Sequence, residues 1–143
     1  MDAPTARELL QVPAVQRAIE GAWADSMPTD PDNRHEEGGW VFLNPKTGEY
    51  LALRAVPGAR KAINLNRPYE LYGYYVVGKF HTHPNPSADG WETGPSLWDQ
   101  RTDAIHGVPS LIRADDGVHL SGPARRRGGL TGPRGYPELG DEE

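Results

Sequence analysis

Seventeen glycines and 14 prolines in 143 residues constrain this chain more than any other feature. That share is well above ordinary usage, and both residues interrupt helices. This argues against a helical bundle and for short elements joined by tight turns. The length fits one domain. Hydrophobic residues at 36% allow a modest core. The absence of cysteine excludes a disulfide scaffold, thiolate metal sites and a thiol nucleophile.

No apolar run approaches the roughly 20 residues a membrane helix needs. The first ten residues, MDAPTARELL, are acidic and amphipathic and carry no signal-peptide pattern. The expectations are a cytoplasmic chain, with non-classical export left open, and no membrane partner. A net charge of −5 argues against nucleic acid as a main partner, and Arg125, Arg126 and Arg127 read as a solvated turn.

Residues 4–26 carry an apolar stripe through Leu9, Leu10, Val12, Val15, Ile19 and Trp23, so a helix is predicted, kinked or split at Pro13. Residues 40–43 and 50–53 flank a turn-rich segment and predict a hairpin. Residues 56–68 read as a polar connection. Residues 74–81, rich in aromatic and β-branched types, give the clearest strand, in which Tyr74 and Tyr75, with Tyr72 before them, are expected to pack the sheet. Residues 84–95 are loop by composition. Ser96 can cap a helix over 96–106 that Gly107 ends, and a second hairpin follows over 110–121. His106 is explained by its place at that helix end, and His119 is expected to face solvent. The order α–β–β–β–α–β–β predicts an α+β fold, a mixed β-sheet flanked by helices. The expected organisation is an N-terminal helical segment (1–30), a metal-binding domain (31–121) and a Gly/Pro/Arg-rich C-terminal strap or disordered tail (122–143).

Three short patterns carry chemistry. In His81-Thr82-His83-Pro84, residues two apart on a strand point to one face, so both imidazoles can reach one metal ion; two solvated histidines at a strand end would look the same. In Ser96-Leu97-Trp98-Asp99, the Ser-x-x-Asp spacing suits a capping box, yet a carboxylate in the first helical turn can also turn toward the histidines. Three protein ligands and an open position are the arrangement of a catalytic zinc. Glu36 and Glu37 precede Gly38 and Gly39; a carboxylate beside an activated water can take its proton and hand it to a leaving amine. Taken singly, both glutamates also read as loop surface charges.

Together these pieces resemble the JAB/MPN metallopeptidase family, whose JAMM motif joins an upstream Glu to H-x-H-P and S-x-x-D. The resemblance covers roughly residues 34–121 and is nearest to small bacterial JAB-like domains. It implies a layered, cytidine-deaminase-like architecture. It also implies that His81, His83 and Asp99 bind Zn2+, that Glu36, three residues before Gly39, is the general base with Glu37 as fallback, and that Ser96 hydrogen-bonds the oxyanion. Twelve residues separate His83 from Ser96, more than in the common form of the motif. Asp89 and Glu92 in that insertion are therefore alternatives to Asp99 as the third ligand. Trp91, also there, reads as a buried anchor or as a wall for substrate.

The function expected from this resemblance is zinc-dependent hydrolysis of a peptide or isopeptide bond, with a peptide or protein conjugate as substrate. Two rivals stand beside it: a non-catalytic JAB-like interaction module, and a secreted effector or toxin domain using the same chemistry. Oligomeric state is not legible.

Overall fold

The computed structural model describes residues 3–65 and 68–122; apart from Gly122, the expected tail lies outside the described residues. Pro13 splits the N-terminal helix as its missing N–H requires. Helix α1 (Ala6–Leu10) opens on a reciprocal Thr5–Glu8 capping box, and α2 (Pro13–Asp25) starts with Pro13 in its first turn. Then come strands β1 (Gly38–Leu43), β2 (Tyr50–Arg54) and β3 (Tyr75–His83), helix α3 (Leu97–His106), and strands β4 (Ser110–Ala114) and β5 (Gly117–Ser121).

The result is an α+β fold with one five-stranded mixed sheet in the order β2-β1-β3-β4-β5. All neighbours are antiparallel except β3 and β4, which run parallel and are joined through α3. Adjacent strand residues face opposite sides. On one side Val41, Val77, Phe80 and Leu111 pack with Leu9, Val15, Ile19 and Ala22 of α1 and α2. The N-terminal helices thus share a core with the sheet. Trp23 sits instead under the Arg113 guanidinium, 4.5 Å from its ring centroid.

On the other side Trp40, Phe42, Val76 and Val108 form a second cluster, and α3 docks beside it. Tyr74 packs against this cluster, whereas Tyr72 and Tyr75 are exposed, contrary to the expectation that all three pack the sheet. Tyr72 lies in the turn before β3, and Tyr75 is that strand's first residue, paired with Leu43 at the end of β1.

Candidate metal centre

Strand β3 continues two residues past the predicted end, so His81 and His83 both lie within it. Their Nε2 atoms are 3.1 Å apart. Gly38 is the register partner of His81, and the chain before it follows β3 backward. This alternation separates the two glutamates. Glu36 falls on the histidine side, and its carboxylate lies within 4.8 Å of both imidazole nitrogens, a group that could hold a metal ion. Glu37 falls on the opposite side: Arg54 donates to its Oε1 at 2.6 Å, and His35 to its Oε2 at 2.5 Å. The Asn33 carbonyl and this Glu37 contact raise the His35 pKa against the effect of burial.

Two features hold Glu36 in place. The Thr82 amide donates to the Glu37 carbonyl at 2.9 Å, and the Thr82 hydroxyl accepts the Glu37 amide at 3.0 Å. The connection after β2 folds back on Glu36: its amide donates to Ala59 and its carbonyl accepts from Gly58, at 2.8 and 2.7 Å. The glycines that follow permit the close strand approach. A Cβ on Gly38 would lie 2.3 Å from the Phe80 carbonyl oxygen, and one on Gly39 2.0 Å from that of Leu53.

Asp99 arrives from α3. Ser96 and Asp99 form the reciprocal capping box, with Asp99 N–H donating to Ser96 Oγ at 3.0 Å and Ser96 N–H to Asp99 Oδ2 at 2.9 Å. The same carboxylate lies 3.4 Å from His81 Nε2 through Oδ1 and 3.2 Å from His83 Nε2 through Oδ2. The cap and the turn toward the histidines are therefore both present in one side chain. Burial favours a neutral Asp99, but His81, then His83 and the Ser96 amide, hold it well below the usual carboxylate range. Burial likewise opposes charge on His81, and Asp99 followed by Glu36 outweighs it and raises the imidazole.

These separations fit a small metal ion. Two ligands of a tetrahedral zinc at about 2.0–2.1 Å stand roughly 3.3 Å apart, close to the spacings of the two imidazoles and the Asp99 carboxylate. Of the alternative ligands, Asp89 is exposed and faces Arg34 at 4.0 Å, and Glu92 is exposed at the rim of a cleft. The cleft, about 420 Å³, opens beside Glu36, His83, Ser96 and Asp99. Trp91 lines it at 39% exposure, which makes it a wall and corrects the buried-anchor reading.

Behind the histidines lies a network that sequence reasoning missed. Lys79, 3% exposed and two residues before His81, pairs with Asp103 at 2.8 Å and donates to His106 Nδ1 at 2.8 Å. Ser121 also donates to Asp103. His106 is 1% exposed and packs edge-on to Trp40, so helix-end electrostatics do not account for it. Burial and then Lys79 lower its pKa to about 3. The available signals were a lysine inside an apolar strand and the spacing of Asp99, Asp103 and His106, one face of a helix. His119 is half-buried and contacts Asp116 at 2.7 Å instead of facing solvent alone.

No protein-family model, no curated protein and no solved structure matches this chain.

Proposed function

We propose that the chain is a zinc-dependent hydrolase of the JAB/MPN type, cleaving a peptide or isopeptide bond in a peptide or protein conjugate. The observation that carries this reading is the convergence of His81, His83, Asp99 and Glu36, the last three of which line one cleft. A mixed sheet ending its central strand in His-Thr-His-Pro, with helices on both faces, supports a JAB-like layered architecture.

In this reading His81, His83 and Asp99 hold the ion, since Asp99 touches both imidazoles directly. Bound zinc supplies Lewis acidity toward a carbonyl oxygen and lowers the pKa of water. Glu36 takes a proton from the attacking water and delivers it to the leaving nitrogen. Ser96, which lines the cleft beside Asp99, donates its hydroxyl to the carbonyl oxygen as negative charge develops. Glu37 is tied to Arg54 and His35 and takes no part.

Replacement Glu36→Gln separates holding the metal from using it. Zinc stoichiometry is expected to stay at the wild-type level while hydrolysis of a peptide or isopeptide library falls at least 100-fold, the usual worth of a general base. Turnover within twofold of wild type would remove Glu36 from that role.

A further inference from the structure

The long loop between β3 and α3 builds one side of the cleft. Gly90, Trp91, Glu92 and Gly94 of this loop line it, together with Ile63 and with Trp98 of α3. Trp91 is exposed, and Ile63 and Trp98 are half-buried, so their apolar surface is open to a ligand. Lys61 and Glu92, the charged lining groups outside the proposed reaction, are both exposed. The same cleft takes in Glu36, His83, Ser96 and Asp99, which puts the apolar walls next to the reacting bond.

Residues 87–92 are all exposed, so core packing does not hold Trp91 in place. An irregular segment of this kind keeps one course only where contacts from outside fix it. The two residues of the β4–β5 turn supply them. Asp115 Oδ2 accepts the Ser87 amide at 3.0 Å and the Ser87 hydroxyl at 3.2 Å, where the exposed stretch begins. Asp116 Oδ2 accepts the Thr93 hydroxyl at 2.8 Å, just after the stretch ends. Asp116 Oδ1 lies 2.7 Å from His119 Nε2 on β5, which anchors the carboxylate to the sheet. Gly94 lies against the same imidazole, since a Cβ there would be 3.6 Å from His119 Nδ1. Arg34 adds a looser contact to Asp89 at 4.0 Å. Trp91 is thus carried on a span tied at both ends to one turn of the sheet.

We infer that the cleft takes an apolar side chain of the substrate and that Asp116 is a positioning residue for this pocket, holding Trp91 as its wall through Thr93. The inference rests on the hydrolase reading and narrows its substrate class to chains with an apolar or aromatic residue beside the attacked bond. Asp116 acts on affinity through the loop and not on the metal. Without its hydrogen bond to Thr93, the cost of ordering the loop falls on binding.

The test uses binding rather than turnover. Zinc-loaded protein is titrated calorimetrically with acetohydroxamate and with 3-phenylpropanohydroxamate. The first reports the metal centre alone and should bind wild type, Trp91→Ala and Asp116→Ala within about twofold of one another. The second adds a phenyl arm, whose burial should tighten binding to wild type at least about tenfold. That gain should fall below about threefold in Trp91→Ala and in Asp116→Ala. It should return in Asp116→Asn, whose carboxamide oxygen still accepts the Thr93 hydroxyl. If Asp116→Ala fails to retain zinc, Thr93→Val removes the same hydrogen bond from the loop side and replaces it. No gain from the phenyl arm in wild type, a full gain in Trp91→Ala or Asp116→Ala, or no gain in Asp116→Asn would overturn the inference and leave the hydrolase reading standing. Failure of acetohydroxamate to bind wild type would overturn the hydrolase reading, and this inference with it.

Discussion

At the scale of single residues, each chemical side chain owes its direction to a neighbour with no reactive group. Gly38 and Gly39 let β1 lie against β3 and β2 closely enough to bring the preceding glutamates beside the histidines. Thr82, between the two histidines, points the opposite way and ties Glu37 to the far face, with Ser26 2.5 Å from its hydroxyl. Replacing Gly39 by Ala sets a methyl against the Leu53 carbonyl and the Phe80 ring. Thermal or urea unfolding should register a loss of at least about 1–3 kcal/mol, the usual range for an overpacked site. An unchanged midpoint would mean that the strands can separate freely there. The histidine pair is legible in the sequence because alternation along a strand is a local rule. The choice between Glu36 and Glu37 is not, because it depends on cross-strand register, and register is set by residues more than 40 positions away.

At the scale of elements, α3 presents Asp99, Asp103 and His106 along one face toward β3. The first of these reaches the two imidazoles and the other two grip Lys79. The buried ion pair fixes where α3 lies, and with it the carboxylate of Asp99. Lys79→Met alone leaves Asp103 charged and buried, which should cost about 3–5 kcal/mol. The pair Lys79→Met with Asp103→Leu should recover most of that loss. Equal destabilisation by the single and the double variant would show that the ion pair is not what docks the helix.

Both hairpins, β3 and α3 follow from local pattern: aromatic and β-branched runs, turn residues, and Ser96 and Gly107 at the helix ends. The connection after β2 was only a polar segment in the sequence, because its task of holding the Glu36 backbone consists of long-range main-chain hydrogen bonds that leave no side-chain signature. The long loop before α3 is likewise pinned from a distance: Ser87 donates to Asp115, and Thr93 to Asp116.

For the molecule as a whole, the two faces of one sheet divide the labour. One buries the N-terminal helices on the larger apolar cluster; the other carries a smaller apolar cluster, the histidine pair, the buried Lys79–Asp103 pair and the cleft. Among the described residues no helix is long and apolar enough to cross a membrane. The charged face makes stability depend on pH. His106 binds a proton near pH 6.5 when unfolded but only near pH 3 when folded. Between those values the unfolded state holds more protons, so this contribution is complete above about pH 6.5 and declines as pH falls toward 3. The slope reaches at most about 1.4 kcal/mol per pH unit. A His106→Gln variant, compared over that window by urea titration, should show a shallower pH dependence than wild type. Parallel curves would remove His106 as the cause.

The central claim is that two imidazoles and the Asp99 carboxylate form a zinc site. It is tested most directly by metal content per chain on untagged wild type, His83→Ala and Asp99→Ala. The account predicts about one zinc per wild-type chain and loss of that zinc in both variants. A wild-type chain that retains no zinc and gains no thermal stability when zinc is added would contradict it.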